Sequence, residues 1–195
     1  MRTKSLILEP INLIYSKDLF ELWSDYDVIK YTYAPQIKTQ KECDERIKMF
    51  IDKYTDWDCP NNFAVLLDCK AIGIAGFPVI NKERFEFGFY YHFIKRCWGK
   101  GYASEVARAL MEYIYKNYNE AIIYADAVVI NPASIKVLTK LGFEQTKLDE
   151  NGFNKNGLEL DLIHFKFEKS KNKGSDVLSS SGFAGQPTSS NNALA

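Results

Sequence analysis

The sequence is poor in the side chains that hold metals or build disulfides. It has two histidines, His92 and His164, far apart and outside any HxxxH or HExxH arrangement. Its four cysteines, Cys43, Cys59, Cys69 and Cys97, form no CxxC pair and no metal-ligand spacing. That argues against a metal site and for reduced, packed cysteines in a cytoplasmic protein. An excess of charge of either sign is missing too, because 25 basic and 25 acidic residues cancel. Proteins that depend on phosphate contacts to nucleic acid carry a basic excess, so the balance argues against DNA or RNA as a partner. Long apolar runs are also lacking. The first one, "SLIL", stops at Glu9 and Pro10, too soon for a signal peptide. None approaches the ~20 residues of a membrane-spanning helix, which predicts a soluble protein with no membrane partner.

What is present suits one domain of ordinary size: 195 residues, 46% of them hydrophobic. "SLILEPINL" reads as a strand, and "YSKDLFELWSDYDVIKYT" as a helix capped by Ser16 with Leu19, Leu22 and Trp23 inward. Thr39 caps a second helix with Ile47, Phe50, Ile51 and Tyr54 on its buried face. The period then changes. "FAVLLD", "KAIGIAGFPVI" and "RFEFGFYYHFI" are rich in β-branched and aromatic residues, and "DCK" and "NKE" separate them as turns. They predict an antiparallel meander.

A helix over 102–118 follows, with Ala103, Val106, Ala107, Leu110, Met111 and Ile114 on one face. "AIIYADAVVI" is a further strand. "NPASIKVLTKLGF" is a helix with Asn131 as cap, Pro132 in its first position and Gly142 beyond its end. "FEQTKL" and "LELDLIHFKFE" close the pattern as strands around a turn in "DENGFNKNG". The fold class is α/β of the mixed α+β kind, a mostly antiparallel sheet of about seven strands with helices on both faces. The domain spans 1–168. Residues 169–195, rich in Ser, Asn and Gly, read as a disordered low-complexity tail with the look of a cloning remnant.

The stretch "KRCWGKGYASE" has a chemistry of its own. A helix begins near Gly101, and its first N–H groups have no partner within the helix and sit at the positive end of its dipole. Gly99 and Gly101 let a ligand approach the backbone, while Arg96 and Lys100 add positive charge. Such a turn suits a pyrophosphate, and it suits a plain helix entry equally well. Neither common nucleotide motif fits. Lys100 is followed by Gly101 where a Walker loop needs Ser or Thr, and Ser104 stands where a Rossmann fingerprint needs glycine.

"R-C-W-G-K-G-Y-A" resembles the R/Q-x-x-G-x-G/A acyl-CoA pyrophosphate loop of the GNAT superfamily of N-acetyltransferases. "FEFGFYYHFIKRCWGKGYASE" and "NPASIKVLTKLGF" are similar to two further segments of that family, in the right order and spacing. "WSDYDVIKYT" looks like the acceptor-side region of its ribosomal-protein N-terminal acetyltransferase branch. The resemblance runs from about residue 5 to 167. It implies an enzyme that moves an acetyl group from acetyl-CoA to a primary amine, either a protein or peptide N-terminus or a small molecule, within a ternary complex and without a metal.

By the same resemblance, Cys97, Trp98, Gly99, Lys100, Gly101, Tyr102 and Ala103, with Arg96 nearby, would hold the pyrophosphate. A backbone N–H near Phe89 or Tyr90 would polarise the thioester carbonyl, and Asn131 would bond the pantetheine. Glu86 matches the carboxylate that deprotonates the amine, and Ser134 matches the serine that protonates the leaving thiolate. Leu138 stands where many relatives keep a tyrosine acid, which leaves a catalytically weak CoA-binding sensor as the alternative. Asp25, Asp27, Asp56 and Asp58 could meet a cationic acceptor, but solvated loop charges are the simpler expectation. A monomer and a homodimer fit equally well.

Overall fold

The computed structural model describes residues 1–52 and 60–169. The predicted tail beyond residue 169, together with Tyr54, Asp56, Asp58 and Cys59, lies outside the described residues. The chain runs β1 (Ile7–Pro10), α1 (Ser16–Ser24), α2 (Tyr26–Ile29), α3 (Gln40–Asp52), β2 (Asn62–Leu67), β3 (Lys70–Gly76), β4 (Val79–Asn81), β5 (Glu86–Gly88) and β6 (Tyr90–Phe93). It continues through α4 (Tyr102–Asn117), β7 (Ile122–Val128), α5 (Pro132–Lys140), β8 (Glu144–Lys155) and β9 (Leu158–Glu168). No helix among the described residues is long and apolar enough to cross a membrane.

The first predicted helix is two. Asp25 is extended, and its carboxylate accepts the Asp27 N–H at 2.9 Å, so it ends α1 and caps α2. An Asp at this point offers the backbone a partner that the helix interior does not. Ser16 is not a cap either. It is the first residue of α1, where no side chain caps the end, and its hydroxyl bonds Asp44 and Gln40 of α3. Thr39 does cap α3: its Oγ1 accepts the Glu42 N–H at 3.2 Å, and Glu42 reaches back to the Thr39 N–H.

The strands form two sheets, in the orders β1-β2-β3-β6 and β4-β5-β7-β9-β8. The expected class is kept, but two of the predicted strands each divide at the same level. After β3 the chain reaches Phe77 and Pro78, and Pro78 has no N–H to give a ladder. Its carbonyl accepts the Gly88 N–H at 2.7 Å, and a Cβ on Gly88 would meet its ring at 2.9 Å. Close contact at Gly88 and the break at Phe89 send β5 into one sheet and β6 into the other. All the pairing is antiparallel except β5 with β7.

The last hairpin also differs from expectation. β8 runs on through "DENGFNK" with a register shift between Asp149 and Phe153, and only Asn156 and Gly157, at φ +53° and +82°, make the turn. Its tip thereby reaches α2, where Lys155 Nζ meets the carbonyls of Ile29, Thr32 and Ala34 at 2.7, 3.0 and 2.7 Å.

The apolar core unites the sheets and helices. Leu19, Leu22, Trp23 and Ile47 cover one face from α1 and α3, and Val106, Leu110 and Ile114 of α4 cover the other. Phe77 sits at the join, with ring centroids 6.2 Å from Phe63, 5.6 Å from Phe87 and 5.8 Å from Tyr113.

Candidate active site

The divided strand makes the site. β5 pairs with β7 from Glu86↔Ile122 to Gly88↔Tyr124, and there the pairing stops. β6 turns away to pair with β3, so Tyr90–Phe93 and the far half of β7 face each other across an opening between the sheets. An unpaired strand edge is a row of backbone donors and acceptors for an extended ligand.

At one end of the opening lies the glycine turn. Lys95–Cys97 form a tight helical turn in which the Cys97 and Trp98 N–H groups are spent on the carbonyls of Ile94 and Lys95, at 2.9 and 3.1 Å. The Trp98 indole N–H ties the turn to the Phe93 carbonyl at 2.7 Å. Gly99 and Gly101 hold φ of +72° and +82°, and a Cβ on either would project into open space. Gly101 is the N-cap of α4 and no side chain caps that helix, so the N–H groups of Tyr102, Ala103 and Ser104 keep no intrahelical partner. An anionic group fits here. Arg96 stands beside the turn but is paired with Glu21 of α1, while Lys100 is exposed and, among the described residues, in no ion pair.

At the other end α5 begins. Asn131 Oδ1 accepts the Ser134 N–H at 3.2 Å, the predicted cap, with Pro132 in the first turn. The Ser134 hydroxyl stands 3.4 Å from that of Tyr91, which projects from β6 toward α5. Burial raises the Tyr91 pKa above the usual phenol value, and the Ser134 bond opposes that shift. Tyr91 was not anticipated, though its alternation with Phe89 and Phe93 places it on one face of the strand. Leu138, at the place of the missing tyrosine, is fully packed in the core.

Glu86 is 7% exposed, and Arg84 lies 3.2 Å from its carboxylate. It is four residues before Tyr90, a backbone distance of about 13 Å at about 3.3 Å per residue. The structure therefore brings Ser134 to the opening and leaves Glu86 further down the same strand line. On β7 and β9, Asp126 and His164 form a second pair, 2.8 Å apart, with Asp149 at 3.6 Å from the other ring nitrogen. Sequence separation hid it, and only the strand register makes these residues opposite neighbours. The described acidic residues of the acceptor side are engaged elsewhere: Asp25 caps α2, and Asp27 pairs with Lys95 and Lys30, which hold its pKa low.

A strand edge leading from an uncapped helix N-terminus to a half-buried hydroxyl suits a long thioester with a phosphate at its far end, and it places the protein among the acyl-CoA-dependent acetyltransferases. Comparison with known proteins agrees with that class. Residues 5–144 match the family described as the acetyltransferase (GNAT) domain, and the chain belongs to that family. An uncharacterized N-acetyltransferase of Bacillus licheniformis is 28% identical over 174 residues, 88% of this chain and 97% of that protein. Among solved structures, a GNAT acetyltransferase from Bacillus anthracis is similar at a TM-score of 0.75 and 20% identity, over 86% of this chain and 97% of the other. RimL, a ribosomal alpha-N-protein acetyltransferase solved with coenzyme A, is similar at a TM-score of 0.77 and 16% identity, over 85% and 95%.

Proposed function

We propose that this protein transfers the acetyl group of acetyl-CoA directly to a primary amine within a ternary complex. The observation that carries the reading is the opening between β6 and β7, which joins an anion-binding turn to the Tyr91–Ser134 pair. Acetyl-CoA supplies the acyl group as an activated thioester. Gly99 to Ala103 hold the pyrophosphate through their backbone, with the exposed Lys100 beside them. Cys97 and Trp98 shape that turn, since their own N–H groups are used, and Arg96 braces it against α1. The backbone at Phe89 and Tyr90 polarises the thioester carbonyl, where the strand leaves its sheet. Asn131 orders the start of α5 and borders the pantetheine path.

Two proton movements remain. Ser134 gives a proton to the departing sulfur, and the protonated Tyr91 beside it replaces that proton. Glu86 takes the proton of the amine through a chain of waters rather than directly. Help of this indirect kind suits an α-amine, with a pKa of about 7.7–8.0, better than a lysine amine near about 10.4.

Calorimetry with acetyl-CoA, and thiol release across a panel of amines, test the reading. Micromolar binding and amine-dependent release are expected. Glu86→Gln is expected to lower kcat by about 10²-fold with acetyl-CoA affinity unchanged. Absence of acetyl-CoA binding would sink the proposal. Tight binding with no release for any amine would turn it into a CoA sensor, the reading that the buried Leu138 favours.

A further inference from the structure

The buried side-chain nitrogens that lack a partner among the described residues are Trp23 Nε1, Arg46 Nη1 and His92 Nδ1. All belong to one cluster on the face of β6 opposite Tyr91. The Arg46 guanidinium lies 5.1 Å over the Trp23 ring. Trp23 stacks on Phe50 at 6.0 Å, Phe50 on Tyr90 at 6.5 Å, and Tyr90 lies 5.6 Å from His92. Buried donors are almost always satisfied, so unmet ones gathered at a single place mark a site built for a ligand.

The charge there is unbalanced as well. Arg46 spends its Nη2 on the Pro35 carbonyl at 2.6 Å and, among the described residues, forms no ion pair. Among the described residues, Lys155 is held by the carbonyls of Ile29, Thr32 and Ala34. Burial first, then Arg46 and Lys155, push the His92 pKa down to about 4, so both cations act on that ring and leave it neutral. Among the described residues the acid nearest in effect is Glu42, whose carboxylate is committed to the start of α3.

A cavity of about 530 Å³ adjoins the cluster, with Pro35, Lys155, Ile29 and Tyr33 in its wall. Beyond that lining, Asp126 and Asp149, which flank His164, add to burial in raising the Tyr33 pKa. The cluster is therefore positive, and carboxylates lie beyond Tyr33. A molecule with both an amine and a carboxylate would find a partner for each.

We infer that the acetyl acceptor is an amine that carries a carboxylate, and that Arg46, His92 and Lys155 receive that carboxylate. The inference rests on the opening between β6 and β7 being the place of acyl transfer. His92 lies two residues from Tyr90, about 7 Å along the strand, so the amine and carboxylate need only a few bonds between them. The guanidinium offers a fork of donors to a carboxylate. The same group repels polycations, which makes the site selective against polyamines.

The test compares matched acceptors in the presence of acetyl-CoA: glycine and L-aspartate against glycinamide and L-aspartic acid diamide, with spermidine as the polycation. Thiol release is expected to be at least tenfold higher in kcat/KM for the carboxylates. Arg46→Met is expected to erase that preference through KM while calorimetry shows unchanged acetyl-CoA affinity. Lys155→Met is the second variant and is expected to weaken the preference if Arg46→Met does not fold. Thermal denaturation gives a readout without turnover, because N-acetylglycine should raise the Tm of the native protein, but not of the variants, more than N-acetylglycinamide does. Equal or inverted preference overturns the inference, as does a panel without turnover together with no carboxylate-dependent rise in Tm. Failure to bind acetyl-CoA would strike the acyltransfer reading instead, so the two failures are told apart.

Discussion

Gly101 shows what a single residue decides. Its φ of +82° costs any other residue about 1–2 kcal/mol, yet nothing stands within 4 Å of where a Cβ would be. Gly101→Val is therefore expected to lower Tm by only a few degrees. The added side chain would occupy the approach to the α4 N–H groups, so acetyl-CoA affinity should fall at least tenfold by calorimetry. An unchanged affinity would remove the turn from the site. His92 acts through its proton. Its folded pKa is about 4 and its ordinary value 6.5, so between these values the unfolded chain binds the extra proton. Stability should fall as pH drops through that window, by roughly 2–3 kcal/mol in all. Urea unfolding at pH 7 and pH 4.5 should show a smaller loss for His92→Gln than for the native protein. An identical loss in the two proteins would refute the assignment.

At the scale of elements, α5 was the most readable. Asn131, Pro132 and Gly142 mark its two ends, and the structure uses them in those roles, with Gly142 at φ +86°. Asn131→Ala should cost about 1 kcal/mol in a denaturant titration, because the Ser134 N–H loses its acceptor. A loss below a few tenths would mean that the cap does not hold the helix. α4 was readable for a different reason, since Val106, Ala107, Leu110, Met111 and Ile114 repeat at the helical period and all are buried. Other elements misled. The apolar spacing of Leu19, Leu22 and Trp23 continues into Val28 and Ile29, and it hid the break that Asp25 imposes. Likewise "DENGFNKNG" is full of turn residues, but β8 runs through it with residues 150–152 bulged out of the ladder, and only Asn156 and Gly157 make the turn.

The whole molecule is held together where its strands change sheets. Phe77 touches β2, β5 and α4 through Phe63, Phe87 and Tyr113, so it belongs to both halves at once. Phe77→Ala is expected to cost about 3–5 kcal/mol through the cavity it leaves. Circular dichroism and tryptophan fluorescence should still report one coincident transition. Two separate transitions would show that the sheets fold independently and that Phe77 does not couple them. Function depends on the same place, because a sheet that never divided would leave no strand edge open between β6 and β7.

The sequence by itself determined the mixed class, the glycine turn before an amphipathic helix, and the cap that presents Ser134. Each of these is local, written in a period, a φ preference or a side chain within a few residues of its partner. Tertiary structure alone decided that two strands divide, that Tyr91 stands beside Ser134, and that the charges of Arg46 and Lys155 act on His92. Those relations join residues from 43 to 109 positions apart (Tyr91–Ser134, Arg46–Lys155). A pattern along the chain tells which face of an element is buried, but not which other element will cover it.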